Sequence, residues 1–270
     1  MSTLETAIDV RSAKPEVFRA FRAVLGRDLY VTLRELPTFL AQVILQPLFL
    51  LFVFGRVLTD LGYARGDYAQ LLFPGIVGLT AVVTGLQSTA FPLVIDFSFT
   101  KEIEDRLLAP LPVNAVAVAK MIYASLRAIT AAVVMIPIGI LVLGSIPWHA
   151  GAVPLFLGAV VLGSLVGSSL GLMLGTLVPA NRINIVFSLV LTPLLFTGAS
   201  QYPWPSLSHL RWFQIVTLAN PLTYVSESLR AALVPRVPHI SPAICILVLL
   251  VSITITGWIG IAGFRRRALD

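Results

Sequence analysis

The chain has 270 residues, 57% of them hydrophobic and only 12% charged, with a net charge of +6 and a mean hydropathy of +0.91. A soluble domain carries about twice that share of charge, so the composition excludes a water-soluble globular protein. The apolar residues come in runs of roughly 20, the length that crosses a hydrocarbon core, without the polar alternation of transmembrane strands, which leaves an all-α membrane protein with several spans.

In chain order, residues 1–14 are polar, with no apolar core and cleavage site of a signal peptide. From Pro15 to Leu36 apolar residues such as Val17, Phe21, Val24, Leu29 and Leu33 recur at three- and four-residue steps, with Arg19, Arg22, Arg27 and Arg34 mostly between them. That pattern is an amphipathic helix with a basic face, too charged to span and suited to the membrane interface. Together with its polar leader it forms an N-terminal region, 1–37.

Six spans follow over 38–264. The first runs over 38–58 and contains Gln42, Gln46 and Pro47. The second, 69–95, holds Gln87 and is interrupted by Pro74 and Pro92. The third, 122–143, has Arg127 near its start, where the side chain either snorkels to the headgroups or pairs in a conduit. The fourth, 153–178, carries Gly163, Gly167, Gly171 and Gly175, four apart, a row that lets another backbone approach closely. The fifth is short, 185–199. A mixed segment, 200–242, is divided by Pro203, Pro205, Pro221, Pro235 and Pro238 and holds Trp204, Trp212, Tyr202 and Tyr224, residue types that favour the interface. It reads as a re-entrant hairpin on the outer side. The last span is 243–264, before a tail, 265–270, that opens with Arg265, Arg266 and Arg267.

Between the second and third spans lies FSFTKEIEDRLLAPLPV, residues 97–113. It has Lys101, Glu102, Glu104, Asp105 and Arg106, acids first, as a short helix favours at its positive end. Thr100 suits its cap, and Pro110 and Pro112 end it. A solvated connecting loop has the same composition. With the N-terminus inside, Arg and Lys concentrate on the inner segments, so both termini and this charged bend are expected in the cytoplasm. The same bias explains the sequence pI of about 9.9 without nucleic-acid binding.

Catalytic chemistry is poorly represented. There is no phosphate-binding G-x-x-x-x-G-K-[ST] loop, and Lys14, Lys101 and Lys120 do not follow glycines. His149, His209 and His239 are scattered, and Cys245 is the single cysteine, so a thiolate metal site and an internal disulfide are excluded. No catalytic residue, cofactor site or metal site is expected in this chain. Glu227 and Arg230, three apart, suit pairing on one helix face. A basic interfacial helix, a charged bend, proline-kinked spans and no energy source of its own suit a transporter subunit powered by a separate ATPase. A lipid-modifying membrane enzyme would require clustered Asp, Glu or His at the surface, and an ion-gradient carrier would require acids within the spans.

These residues resemble the membrane permease of type-2 ATP-binding-cassette exporters, the group of daunorubicin-type drug, polysaccharide and lipo-oligosaccharide exporters. KEIEDRLLAPLPV is similar to the family's E-x-G-T-x-E-x-L-x-A-x-P segment through Glu102, Leu108, Ala109 and Pro110, although the Gly-Thr step is absent, with Ile103 to Asp105 in its neighbourhood. Phe196 to Ala199, followed by Tyr202 and Pro203, looks like the S-G-x-x-x-P turn after the fifth span. Asn220, Pro221, Leu222, Thr223 and Tyr224, continuing to Glu227, Leu229, Arg230 and Ala231, resembles the N-P-L-x-Y…x-x-R-x segment before the last span.

The resemblance implies export of a lipophilic drug, lipid or lipid-linked glycan across the cytoplasmic membrane of a bacterium. Two nucleotide-binding subunits would supply the ATP and magnesium chemistry, and a second permease, identical or related, would complete the unit. It implies a coupling helix at 100–109, with Lys101, Glu102, Glu104, Asp105 and Arg106 against the ATPase, and an outer hairpin shaped by Asn220, Pro221, Tyr224, Glu227 and Arg230. Substrate would pass along a permease–permease interface lined by the first, second and fifth spans, with Gln42, Gln46 and Gln87 as polar candidates along the conduit.

Overall fold

A computed structural model describes residues 22, 26, 27, 30, 32, 34–63, 68–100 and 112–269, and the side chains of all of these except 99, 100 and 150. Residues 101–109 of the proposed coupling helix, with Lys101, Glu102, Glu104, Asp105 and Arg106, lie outside the described residues, as does Arg19.

Among the described residues six helices are long and apolar enough to cross a membrane: α1 (Leu36–Asp60), α2 (Tyr68–Ser98), α3 (Val113–Leu143), α4 (Val153–Leu177), α5 (Ala180–Thr197) and α8 (Pro242–Leu269). Two short helices, α6 (Arg211–Leu218) and α7 (Pro221–Leu233), lie between α5 and α8. No described residue is in a strand. The described residues before Glu35, including Arg22, Arg27 and Arg34, are helical, and a turn at Glu35 separates them from α1. Consecutive spans alternate in direction. The ends of α2, α4 and α8 therefore meet the starts of α1, α3 and α5 at one end of the bundle, here termed the bend end, while α6 and α7 lie at the other, the hairpin end.

The bundle is built around α2. Of its most apolar stretch 89% is buried, against 17% for α5. Its sequence explains this: Gly75, Gly78, Ala81, Gly85 and Ala90 keep its surface narrow enough for neighbours to close around it. Its most extensive contact is with α4. There the glycine row acts within one subunit. A methyl group at Gly167 would stand 2.1 Å from the Val82 carbonyl oxygen, and one at Gly171 2.5 Å from that of Leu86. Gly175 faces Ala90 and Leu93, while Gly163 faces the Val225 side chain of α7. Hydroxyls tie the other contacts, Ser125 to Ser168 at 2.5 Å between α3 and α4, and Ser169 to Thr256 at 2.7 Å between α4 and α8.

Several boundaries differ from the expectation for physical reasons. Pro74 and Pro92 do not interrupt α2, which continues through both. Packed neighbours tolerate such prolines in membrane helices by covering the backbone groups they free. In α1 the helix passes Pro47 and then widens to a π-helical register over Leu51–Val57. The third span begins at Val113 instead of 122, because the extended Pro112 starts a helix whose Lys120 has a partner inside the bundle. The last helix runs on to Leu269, so the arginine triplet is part of it.

Candidate functional site

A cavity of about 420 Å³ opens between the bend-end halves of α1 and α2, with α3 and α5 completing its wall. It brings together the amides expected along a conduit: Gln42 and Gln46 from α1 and Gln87 from α2. The positions follow from helical spacing, since 42 and 46 are one turn apart on the same face. Thr80, Thr84 and Ser88 add hydroxyls, of which Thr80 donates to the Ile76 carbonyl at 2.8 Å. Phe39, Val43, Leu79, Val83, Phe91 and Leu195 make the apolar part of the wall. Pro47 and Pro92 also line it. Each lacks an N–H, so the carbonyl four residues earlier, at Val43 and Ser88, receives no helical hydrogen bond from it. Both of those residues face the same cavity. A mixed surface of this size suits an amphiphilic molecule.

Arg127 of α3 reaches this cavity. Its guanidinium carbon lies 4.0 Å from the centre of the Phe39 ring and 5.7 Å from that of Tyr123, in the range of cation–π attraction. Its Nε is buried without a hydrogen-bond partner among the described residues. Tyr123 in turn contacts the Thr32 hydroxyl, which links α3 to the helical residues before α1.

At the hairpin end, α7 is polar in sequence yet buried from Leu222 to Leu233. Asn220 caps it: its Oδ1 accepts from the Leu222 N–H at 2.9 Å, and its Nδ2 donates to the Leu194 carbonyl at 3.0 Å and to Thr197 Oγ1 at 2.9 Å. Pro221 occupies the first turn, where no N–H is required. The Tyr224 hydroxyl donates to the Leu218 carbonyl at 2.8 Å, and burial raises its pKa.

Glu227 and Arg230 are fully buried and paired with each other. Glu227 also accepts from the backbone N–H of Trp204 at 2.9 Å and of Ile240 at 3.1 Å. Arg230 donates to the carbonyls of Ala199 at 3.1 Å and Leu71 at 3.4 Å. Burial draws the Arg230 pKa below its ordinary value, and the Glu227 charge opposes that shift. The pair therefore joins the start of α2, the turn after α5, the segment before α6 and the linker into α8. Ala199 supplies its carbonyl from a left-handed backbone conformation, φ +48°, which is unusual for a residue with a side chain.

The bend end has its own charged contacts, which the sequence reading missed. Asp96, just past the last apolar turn of α2, pairs with Lys120 of α3. Arg267 donates to the carbonyls of Gly175 at 3.1 Å and Val178 at 3.3 Å, and to Ser98 Oγ at 3.1 Å, while its guanidinium lies 4.8 Å from the Phe97 ring centre. A usable signal was present: opposite charges near the facing ends of two helices joined by a bend.

The chain's relatives are transport permeases. A family model described as ABC-2 type transporter matches residues 19–234. The chain is 28% identical over 218 residues to a transport permease, ycf38, of Cyanophora paradoxa, covering 77% of this chain and 72% of that one. It is 26% identical over 226 residues to the protein of that name in Porphyra purpurea, covering 80% and 74%. It is 25% identical over 228 residues to the inner membrane transport permease YadH of Escherichia coli K12, covering 78% and 81%.

Proposed function

The chain belongs to the ABC-2 type transporter family as a membrane permease subunit, and from that premise we propose that it moves a lipophilic drug, lipid or lipid-linked glycan outward across the cytoplasmic membrane of a bacterium. The energy comes from ATP hydrolysis in a separate nucleotide-binding subunit, two copies of which serve two permeases. The observation that carries this reading is the cavity where Gln42, Gln46 and Gln87 meet an apolar wall on α1, α2 and α5. Such a surface holds the polar head and the apolar body of one molecule at once.

In this reading the bend end faces the cytoplasm. Lys101, Glu102, Glu104, Asp105 and Arg106, with Arg19, Arg22, Arg27 and Arg34, form the docking surface for the ATPase. Motion received at the bend passes to α2 and α3, whose ends flank it, and both helices reach the cavity. The hairpin end, held by Glu227 and Arg230, faces outward and closes the exit.

The test is recovery of the tagged chain from its native membrane, with ATPase activity measured on the eluate. A stoichiometric nucleotide-binding subunit with vanadate-sensitive hydrolysis is expected. A lone chain, inactive after gentle solubilisation, overturns the reading. Charge reversal at Glu102, Glu104 and Asp105 together is expected to abolish either the co-purification or the stimulation of hydrolysis by substrate.

A further inference from the structure

We propose that the cavity between α1, α2 and α3 takes an amphiphile with an anionic headgroup, and that Arg127 is the residue that selects it. This rests on the transport reading of the cavity.

The charges facing the interior are unbalanced at one position. The other cations that face the interior among the described residues have partners on the chain. Arg230 has Glu227, Lys120 has Asp96, and Arg267 has helix-end carbonyls. Arg127 has aromatic rings and a buried Nε with no hydrogen-bond acceptor among the described residues. No aspartate or glutamate among the described residues lines its cavity. A cation drawn out of water without a counter-charge is costly, and within a membrane span such a residue marks a site where something else supplies that charge.

Geometry adds to this. Stacking on Phe39 occupies one face of the guanidinium and leaves its edge, where the N–H donors lie, for a ligand. Those donors form a planar fork that matches the oxygens of a phosphate or carboxylate. Around the fork, Gln42, Gln46 and Gln87 offer both donors and acceptors. The apolar residues Val43, Leu79, Val83 and Phe91 continue the wall and suit an acyl or aromatic body. An arginine stays protonated at all physiological pH values, so the preference is fixed and does not switch with pH.

The experiment uses the permease as recovered from its membrane, with any ATP-binding subunit that accompanies it, in nanodiscs of zwitterionic lipid. The probes are a fluorescent dodecanoic acid and its methyl ester, which share a tail and differ in charge. The acid is expected to bind about tenfold more tightly than the ester, as a charge-assisted contact in a partly dry site warrants. Arg127→Gln removes that difference and keeps ester binding. Gln87→Glu places a carboxylate in the same cavity with Arg127 intact and also removes it, which keeps the test sharp should Arg127→Gln fail to reach the membrane. Equal binding of acid and ester by the wild-type chain overturns the proposal, as does an acid preference that survives either substitution.

Repeating the titration with phosphatidylglycerol in the disc separates two sources of the anion. Competition supports a bilayer phospholipid headgroup at Arg127, and its absence supports a free amphiphile. Binding is read without ATP. A missing ATPase partner therefore defeats the powered-transport reading while leaving headgroup selection measurable, and loss of selection alone leaves the partner and its hydrolysis in place.

Discussion

The two ends of the bundle are held by charges in different ways. At the hairpin end one ion pair, Glu227 with Arg230, is wholly buried and hydrogen-bonded to the backbone of four separate segments. At the bend end the charged contacts form two separate clusters. Asp96 meets Lys120 between two helices, and Arg267 reaches the last carbonyls of α4 from a half-buried position on α8. An over-determined knot resists displacement because every donor and acceptor loses a partner together. The two bend-end clusters share no residue, so one can be lost while the other stays. The contrast suits the proposal that motion enters at the bend end.

The most direct way to break this comparison is at Arg230. Arg230→Leu leaves the Glu227 carboxylate buried without its counter-charge, and a loss of about 3–5 kcal/mol is expected. A fall in the thermal midpoint in detergent, with loss of monodisperse protein, is the readout. Replacing Glu227 with leucine in the same chain is expected to recover part of that loss, because no lone charge then remains. If the single substitution unfolds the protein no more readily than a change at Asp96, the two ends are not distinct.

A second substitution tests the rod between the ends. Gly167→Ala forces a methyl group against the Val82 carbonyl and pushes α4 from α2. The expected cost is about 1–3 kcal/mol, seen as a lower midpoint. Gly163→Ala, which meets the side chains of Val225 and Ala81 and no backbone carbonyl among the nearest atoms, is expected to cost less. Equal effects would mean that backbone contact along the row is unimportant.

Changes at the bend end should be milder. Asp96→Asn removes the counter-charge of Lys120, whose long stem can carry its ammonium toward water. A cost of about 1 kcal/mol is expected, with a larger change in transport per ATP hydrolysed than in the thermal midpoint. The smallest effect is assigned to Arg267→Gln, which removes a cation from the carbonyl end of α4 and should cost about 0.3–1 kcal/mol. High salt is expected to reproduce part of the Arg267 effect and little of the Asp96 or Arg230 effects, since screening reaches exposed charges and spares buried ones, and Asp96 and Lys120 are largely buried.

The helices were legible in the sequence because the hydrocarbon core imposes a length on every apolar run. Gln42, Gln46 and Gln87 stood out for the same reason, as polar residues within those runs, and they share one cavity. What the sequence does not display is who faces whom. Glu227 and Arg230 read as neighbours on one helix, but their partners at Leu71, Ala199, Trp204 and Ile240 lie on segments that only the fold brings together. Asp96 went unnoticed because it falls just beyond an apolar run, where a charge looks like the start of a loop. Snorkelling was a fair reading of Arg127 near a helix start, since nothing in the linear order places Phe39 beneath it.

The hairpin knot also imposes an order on synthesis. Arg230 bonds to Leu71, 159 residues earlier, and Glu227 waits for the N–H of Ile240, 13 residues later. Until the ribosome has passed the last loop, the nascent chain holds a carboxylate and a guanidinium beside a membrane with part of their shell unmade. Closure of the knot is therefore a late maturation event, and a subunit cut short before Ile240 leaves Glu227 without one of its backbone donors.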